Sequence, residues 1–116
     1  LCNSEVKANI HPMACKAAAL SYCLKDKFVQ VHDDIFHHQA KLSDEWIADY
    51  AKKHNALECY QDANTMEEVK KIVSLAKPFN VKSTPTMLLN EVKIEGALPL
   101  TQFTLLMDQL AERHGK

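Results

Sequence analysis

Cys2, Cys15, Cys23 and Cys59 are the residues of this chain best suited to chemistry, and their number is even. A thiolate can attack a disulfide, bind a metal or close a structural bridge, and spacing helps to select among these. Successive spacings are 13, 8 and 36, so no Cys-x-x-Cys occurs. Dithiol redox catalysis needs a thiolate activated at a helix N-terminus, with a resolving partner one turn away. Without that pair, the chain alone is expected to be inactive as a dithiol oxidoreductase. The even count points instead to two structural disulfides and an oxidising compartment. The alternative is unpaired thiols buried as small hydrophobes, Cys23 first among them.

Four cysteines allow three connectivities. If residues 12–24 form one helix, Cys15 and Cys23 stand about 12 Å apart along its axis, too far for a bridge. Two pairings remain open. Cys2 with Cys15 and Cys23 with Cys59 is the simpler, because one bridge is local and the other ties a helix to a later return segment. A metal site from Cys2, His11 and Cys15 is the rival, but Pro12 makes His11 a capping-region residue and no fourth ligand is evident. His32, His37 and His38 form a second cluster; neighbours at 37 and 38 diverge by about 100° on a helix and cannot chelate together. Asp33-Asp34 and Glu67-Glu68 read as solvated helix faces, and Trp46 as core or its rim. No cofactor or metal is called for.

The 116 residues give room for one domain, 47% hydrophobic and 25% charged, with 14 basic and 15 acidic side chains. So balanced a charge gives no reason to expect nucleic acid or an anionic membrane surface. Apolar runs such as Ala17 to Leu20 fall far short of the ~20 residues that span a bilayer. Leu1-Cys2-Asn3-Ser4-Glu5 has neither a basic nor an apolar leader region, and the chain reads as a processed or excised product.

The elements that must position these residues follow from periodicity. Met13, Ala17, Leu20 and Leu24 recur at helical spacing behind Pro12, so residues 12–24 are expected to be a helix. Phe28, Val31, Ile35 and Gln39 continue the stripe after a break at Lys25-Asp26-Lys27. Ser43 caps a third helix from Asp44 to about His54 that buries Ile47, Tyr50 and Ala51. Thr65-Met66-Glu67-Glu68 reads as a capping box for a fourth, with Val69, Ile72, Val73 and Ala76 inward and Pro78 ending it. Thr86 to Leu89 and Val92 to Gly96 then read as a hairpin turning at Asn90-Glu91. A last helix presents Leu98, Phe103, Leu106, Met107 and Leu110, with Thr101 as its cap and Gly115 past its end. Met87-Leu88-Leu89 is apolar on both faces, like a strand covered on each side. A two-stranded hairpin is marginal alone, so strands from elsewhere or a second copy pairing at the open edge should complete the sheet.

Val81-Lys82-Ser83-Thr84-Pro85-Thr86 and the hairpin after it resemble the cis-proline strand of the thioredoxin superfamily. Cys2-Asn3, His11-Pro12-Met13-Ala14-Cys15-Lys16-Ala17-Ala18 and Lys27 to Phe36 resemble the helical insert of DsbA-like periplasmic thiol:disulfide oxidoreductases. The Cys-Asn and His-Pro-x-Ala-Cys pieces are most similar to thioredoxin-like domains associated with bacterial vitamin K epoxide reductase homologues. The resemblance implies an α/β class and an incomplete thioredoxin-like fold: a four-helix insert over 1–80, then the cis-Pro loop, hairpin and C-terminal helix of the same domain over 81–116. By base rate an X-Pro bond at a strand start is trans; the resemblance implies cis, with Thr84 and Pro85 binding extended substrate. It further implies an exported or periplasmic parent that exchanges disulfides with cysteine-containing proteins or peptides, and a membrane redox partner resembling vitamin K epoxide reductase. The reactive Cys-x-x-Cys of that family is missing here. A non-catalytic peptide-binding module is the alternative.

Overall fold

The computed structural model describes residues 2–113. Six helices and a two-stranded antiparallel sheet occur among them, in two compact units that divide between Pro78 and Phe79.

In the first unit, α1 (Ala14–Cys23), α2 (Phe28–His37), α3 (Asp44–Lys53), α4 (Leu57–Gln61) and α5 (Ala63–Ser74) follow one another with short connections. The alanine-rich α1 touches all four of the others. Small side chains on several of its sides allow that, because a helix without bulky ridges can be approached closely from more than one direction. Leu20, Val31 and Ile47 are fully buried at the centre of the core, with Leu24, Ala51 and Ala56 beside them. The expected break at Lys25–Lys27 is a single 3₁₀ turn; α2 ends at His37, so Gln39 falls in a second 3₁₀ turn, Gln39–Lys41, and not on the α2 stripe.

The Ser43 side chain accepts the Trp46 N–H at 3.1 Å, as its position before two acids suggests. At the other end of α3, Asn55 takes φ 57, its N–H reaches Lys52 O at 3.2 Å and that of Ala56 reaches Ala51 O at 2.8 Å. These two bonds make a Schellman closure, which favours asparagine or glycine at the left-handed position. The chain then enters α4, a five-residue helix that periodicity did not announce.

Two expectations for α5 need correction. Its cap is Asp62, which accepts the Asn64 N–H at 2.8 Å, and Thr65 lies inside the first turn, 5% exposed. The Thr65 hydroxyl instead donates to Cys59 O at 2.6 Å, so the chain folding back from α4 claims the group that a capping box would use. Val69 is buried, but Ile72 is 55% exposed, left uncovered by α1 and α4, the main neighbours of α5 among the described residues.

In the second unit, β1 (Thr86–Leu89) and β2 (Val92–Glu95) pair in the register Thr86↔Glu95 to Leu89↔Val92, followed by α6 (Leu100–Arg113). Asn90 holds the turn with φ 54, and the Gly96 N–H extends the ladder to Pro85 O at 2.8 Å. Ile94 and Leu110 are the buried residues here. Val92, Leu106 and Leu110 share the lining of a shallow cavity. Leu88 is 42% exposed, so β1 is not covered on both faces among the described residues. Met107 is exposed rather than inward, and Thr101 lies inside α6, which begins at Leu100. Gly115 lies outside the described residues.

Candidate functional site

All four cysteines are paired: Cys2 with Cys15, Cα atoms 5.7 Å apart, and Cys23 with Cys59, 5.9 Å apart. Of the two pairings that helix geometry left open, the simpler is the one formed, and Cys23 is not a free thiol. The sulfurs of Cys2 and Cys15 are bonded to each other, so neither is available as a thiolate ligand beside His11.

The two bridges have different surroundings. Cys23 ends α1 and packs against the core, while Cys59 lies within α4. Between them sits Thr65, its Oγ1 3.8 Å from Cys23 Sγ and 3.6 Å from Cys59 Sγ. Cys15 lies in the first turn of α1, and its sulfur accepts the backbone N–H of Cys2 at 2.9 Å. Residues 2–13 form neither helix nor strand.

In the other unit, Val81 to Pro85 are exposed and lead directly into β1; the Thr84–Pro85 peptide bond is cis. The Thr86 hydroxyl donates to Ser83 O at 2.6 Å, tightening the bend before the strand. The Lys93 ammonium donates to Phe79 O and Asn80 O at 3.4 and 3.3 Å, fastening the approach to this loop onto β2.

A family model described as thioredoxin matches residues 6–109. The chain belongs to the thioredoxin family. Its α/β class and its incomplete thioredoxin-like fold, a helical portion followed by hairpin and helix, agree with that membership. Thioredoxin membership fits a redox role, and both disulfides are formed. Against curated proteins and solved structures the chain finds no significant match.

One cluster of this thioredoxin-family chain escaped the reading of the sequence. Trp46, Tyr50 and His54 recur every four residues along α3 and its C-cap and stack, with ring centroids 5.1 and 4.4 Å apart, and His38 adds a further ring 5.4 Å from Trp46. The Tyr50 hydroxyl donates to Asp34 Oδ2 at 2.5 Å. Asp34 is therefore half-buried and engaged, unlike Asp33, which stays solvated beside His32. The period of four was legible in the sequence; the partner sixteen residues away was not.

Burial, then the hydrogen bond to Asp34, pushes the Tyr50 phenol up to about 12. The sign follows: the native state holds this proton more tightly than the unfolded chain, whose tyrosines titrate near ~10. Stability from this term is complete below about pH 10 and is lost as pH rises through about 12. Ultraviolet difference titration should show a late phenolate step that disappears in Tyr50→Phe and moves downward in Asp34→Asn. A Tyr50 step at the ordinary tyrosine value would contradict the arrangement.

Proposed function

We propose that the chain is part of an exported thiol:disulfide oxidoreductase of the DsbA-like kind. In that reaction an oxidised Cys-x-x-Cys takes two electrons from a substrate dithiol, which becomes a disulfide; the reverse direction uses the same steps. The observation that carries the reading is the thioredoxin match over residues 6–109 in a chain whose cysteines are all in disulfides. Disulfides of this kind persist in oxidising compartments, which supports export. The exposed backbone of Thr84, just before a strand, offers its N–H and C=O to an extended, cysteine-bearing polypeptide. A membrane partner resembling vitamin K epoxide reductase would reset the redox state of the whole protein. No helix among the described residues is long and apolar enough to cross a membrane.

The competing reading is a non-catalytic thioredoxin-like module that binds extended peptides. It is favoured by one observation: the matched stretch contains no Cys-x-x-Cys. Insulin reduction and refolding of reduced ribonuclease, measured on the 116-residue chain and on the full-length gene product, separate the two. We expect activity only in the full-length product, abolished when both cysteines of its upstream Cys-x-x-Cys become serine. A full-length product without such a motif would leave the peptide-binding module as the function.

A further inference from the structure

The two disulfides stand in environments that should make them chemically unequal. Both cysteines of the Cys23–Cys59 bridge are on helices, one packed on the core, with the buried Thr65 against both sulfurs. Opening that bridge disturbs three helices at once. The Cys2–Cys15 bridge anchors a segment, residues 2–13, that has no helix or strand and exposes residues 4–12. Besides the bridge, an exposed Glu5–Lys77 ion pair at 3.6 Å and, at the α1 end, Met13 packed against the core tie that segment to the rest of its unit. Its sulfurs are also unlike each other. Cys15 Sγ accepts a backbone N–H at 2.9 Å and lies in the first turn of the ten-residue α1, both of which stabilise negative charge on that sulfur. No such donor is found for Cys2 Sγ among the described residues.

We propose that Cys2–Cys15 is an exchangeable disulfide that takes low-molecular-weight thiols as its substrate class, with Cys2 the attacked sulfur and Cys15 the leaving thiolate. A thiolate RS⁻ attacks Cys2 Sγ; the Cys2–Cys15 bond breaks, an R–S–Cys2 mixed disulfide forms, and Cys15 departs with the electron pair. A second RS⁻ then attacks the sulfur of R in the mixed disulfide, releasing RSSR and the Cys2 thiolate. Two thiols are thereby oxidised and one protein disulfide reduced. Polarity follows from the leaving group, because the sulfur whose thiolate is better stabilised leaves faster. A small thiol suits the half-burial of both sulfurs, since it can reach them without opening a helix. Reduction releases Cys2 from α1 and leaves the core bridge in place, with Met13 still held on the core. The proposal concerns the chain's own cysteines and holds whether or not the parent protein is an oxidoreductase.

Loop length does not set this order, because closing 13 residues costs less entropy than closing 36; the difference comes from the surroundings of the two bridges. The test is incubation of the native chain with reduced glutathione, acid quenching, labelling with N-ethylmaleimide and peptide mapping. The expected result is glutathione on Cys2 and maleimide on Cys15, with the loss of the Cys2–Cys15 bridge complete before any label appears on Cys23 or Cys59. Labelling of Cys23 and Cys59 at a comparable or higher rate overturns the proposal. So does a chain in which neither bridge opens before denaturation, and an adduct found on Cys15 overturns the assigned direction of attack.

Discussion

Removing the Cys23–Cys59 bridge by replacing both cysteines with alanine should destabilise the helical unit by about 4 kcal/mol. The figure comes from the closed loop, since the bridge joins residues 36 apart in sequence. It joins the end of α1 to α4, so it restricts the unfolded chain across nearly half of the helical unit. Native-state contacts add to this. The buried Thr65 rests against both sulfurs, and two alanines would leave it facing a void. For a domain whose whole stability is ordinarily about 5–15 kcal/mol, a loss of this size populates the unfolded state at physiological temperature. Urea unfolding followed by far-ultraviolet circular dichroism checks the expectation, and a change below about 1 kcal/mol would mean that the bridge does little for the native fold. The same substitution at Cys2 and Cys15 should cost less, because the loop is shorter and the segment it anchors lacks helix and strand.

Leu20→Ala should be comparably severe, at about 3–5 kcal/mol. Leu20 is completely buried on α1, the helix that touches α2, α3, α4 and α5. Deleting its side chain removes buried apolar surface and leaves a cavity among Leu24, Val31 and Ile47, which belong to the same cluster. Four neighbours held by α1 cannot all collapse inward, so the cavity should persist and the cost should sit toward the upper part of that range. The melting temperature should fall by at least about 12 °C. Leu75→Ala is the matched control: Leu75 is 69% exposed, and its truncation should fall within about 0.5 kcal/mol. Equal losses for the two variants would show that the core is not where the structure places it.

Much of the local structure was legible. Ser43 before two acids marked the start of α3, and the Ile47 and Ala51 spacing marked its buried face, because both signals act within one or two turns. Asn90 marked the hairpin turn for the same reason, being one of the few residues that accept positive φ readily. The failures share a different cause. Thr65 matched a capping box, yet a carbonyl from the preceding helix takes its hydroxyl, and that carbonyl arrives only when α4 folds back. Ile72 and Met107 lie on apolar stripes that are wider than the partners available to cover them. Asp34 looked like one of two solvated acids until Tyr50, on another helix, brought it a phenolic proton.

For the four cysteines, the sequence by itself determined that no dithiol pair of the catalytic spacing is present and, through the length of a helix, that Cys15 and Cys23 are not partners. It also carried the thioredoxin signature around Thr84 and Pro85. Which of the two remaining pairings forms, and how each bridge is surrounded, was decided only in three dimensions. A disulfide needs Cα atoms within about 7 Å, and that approach is set by how α1 packs against α4 and α5. The same packing puts Thr65 beside one bridge and leaves the other at the end of an irregular segment. Spacing along a chain states what chemistry its cysteines can do; burial and neighbours decide which pair an incoming thiol can reach.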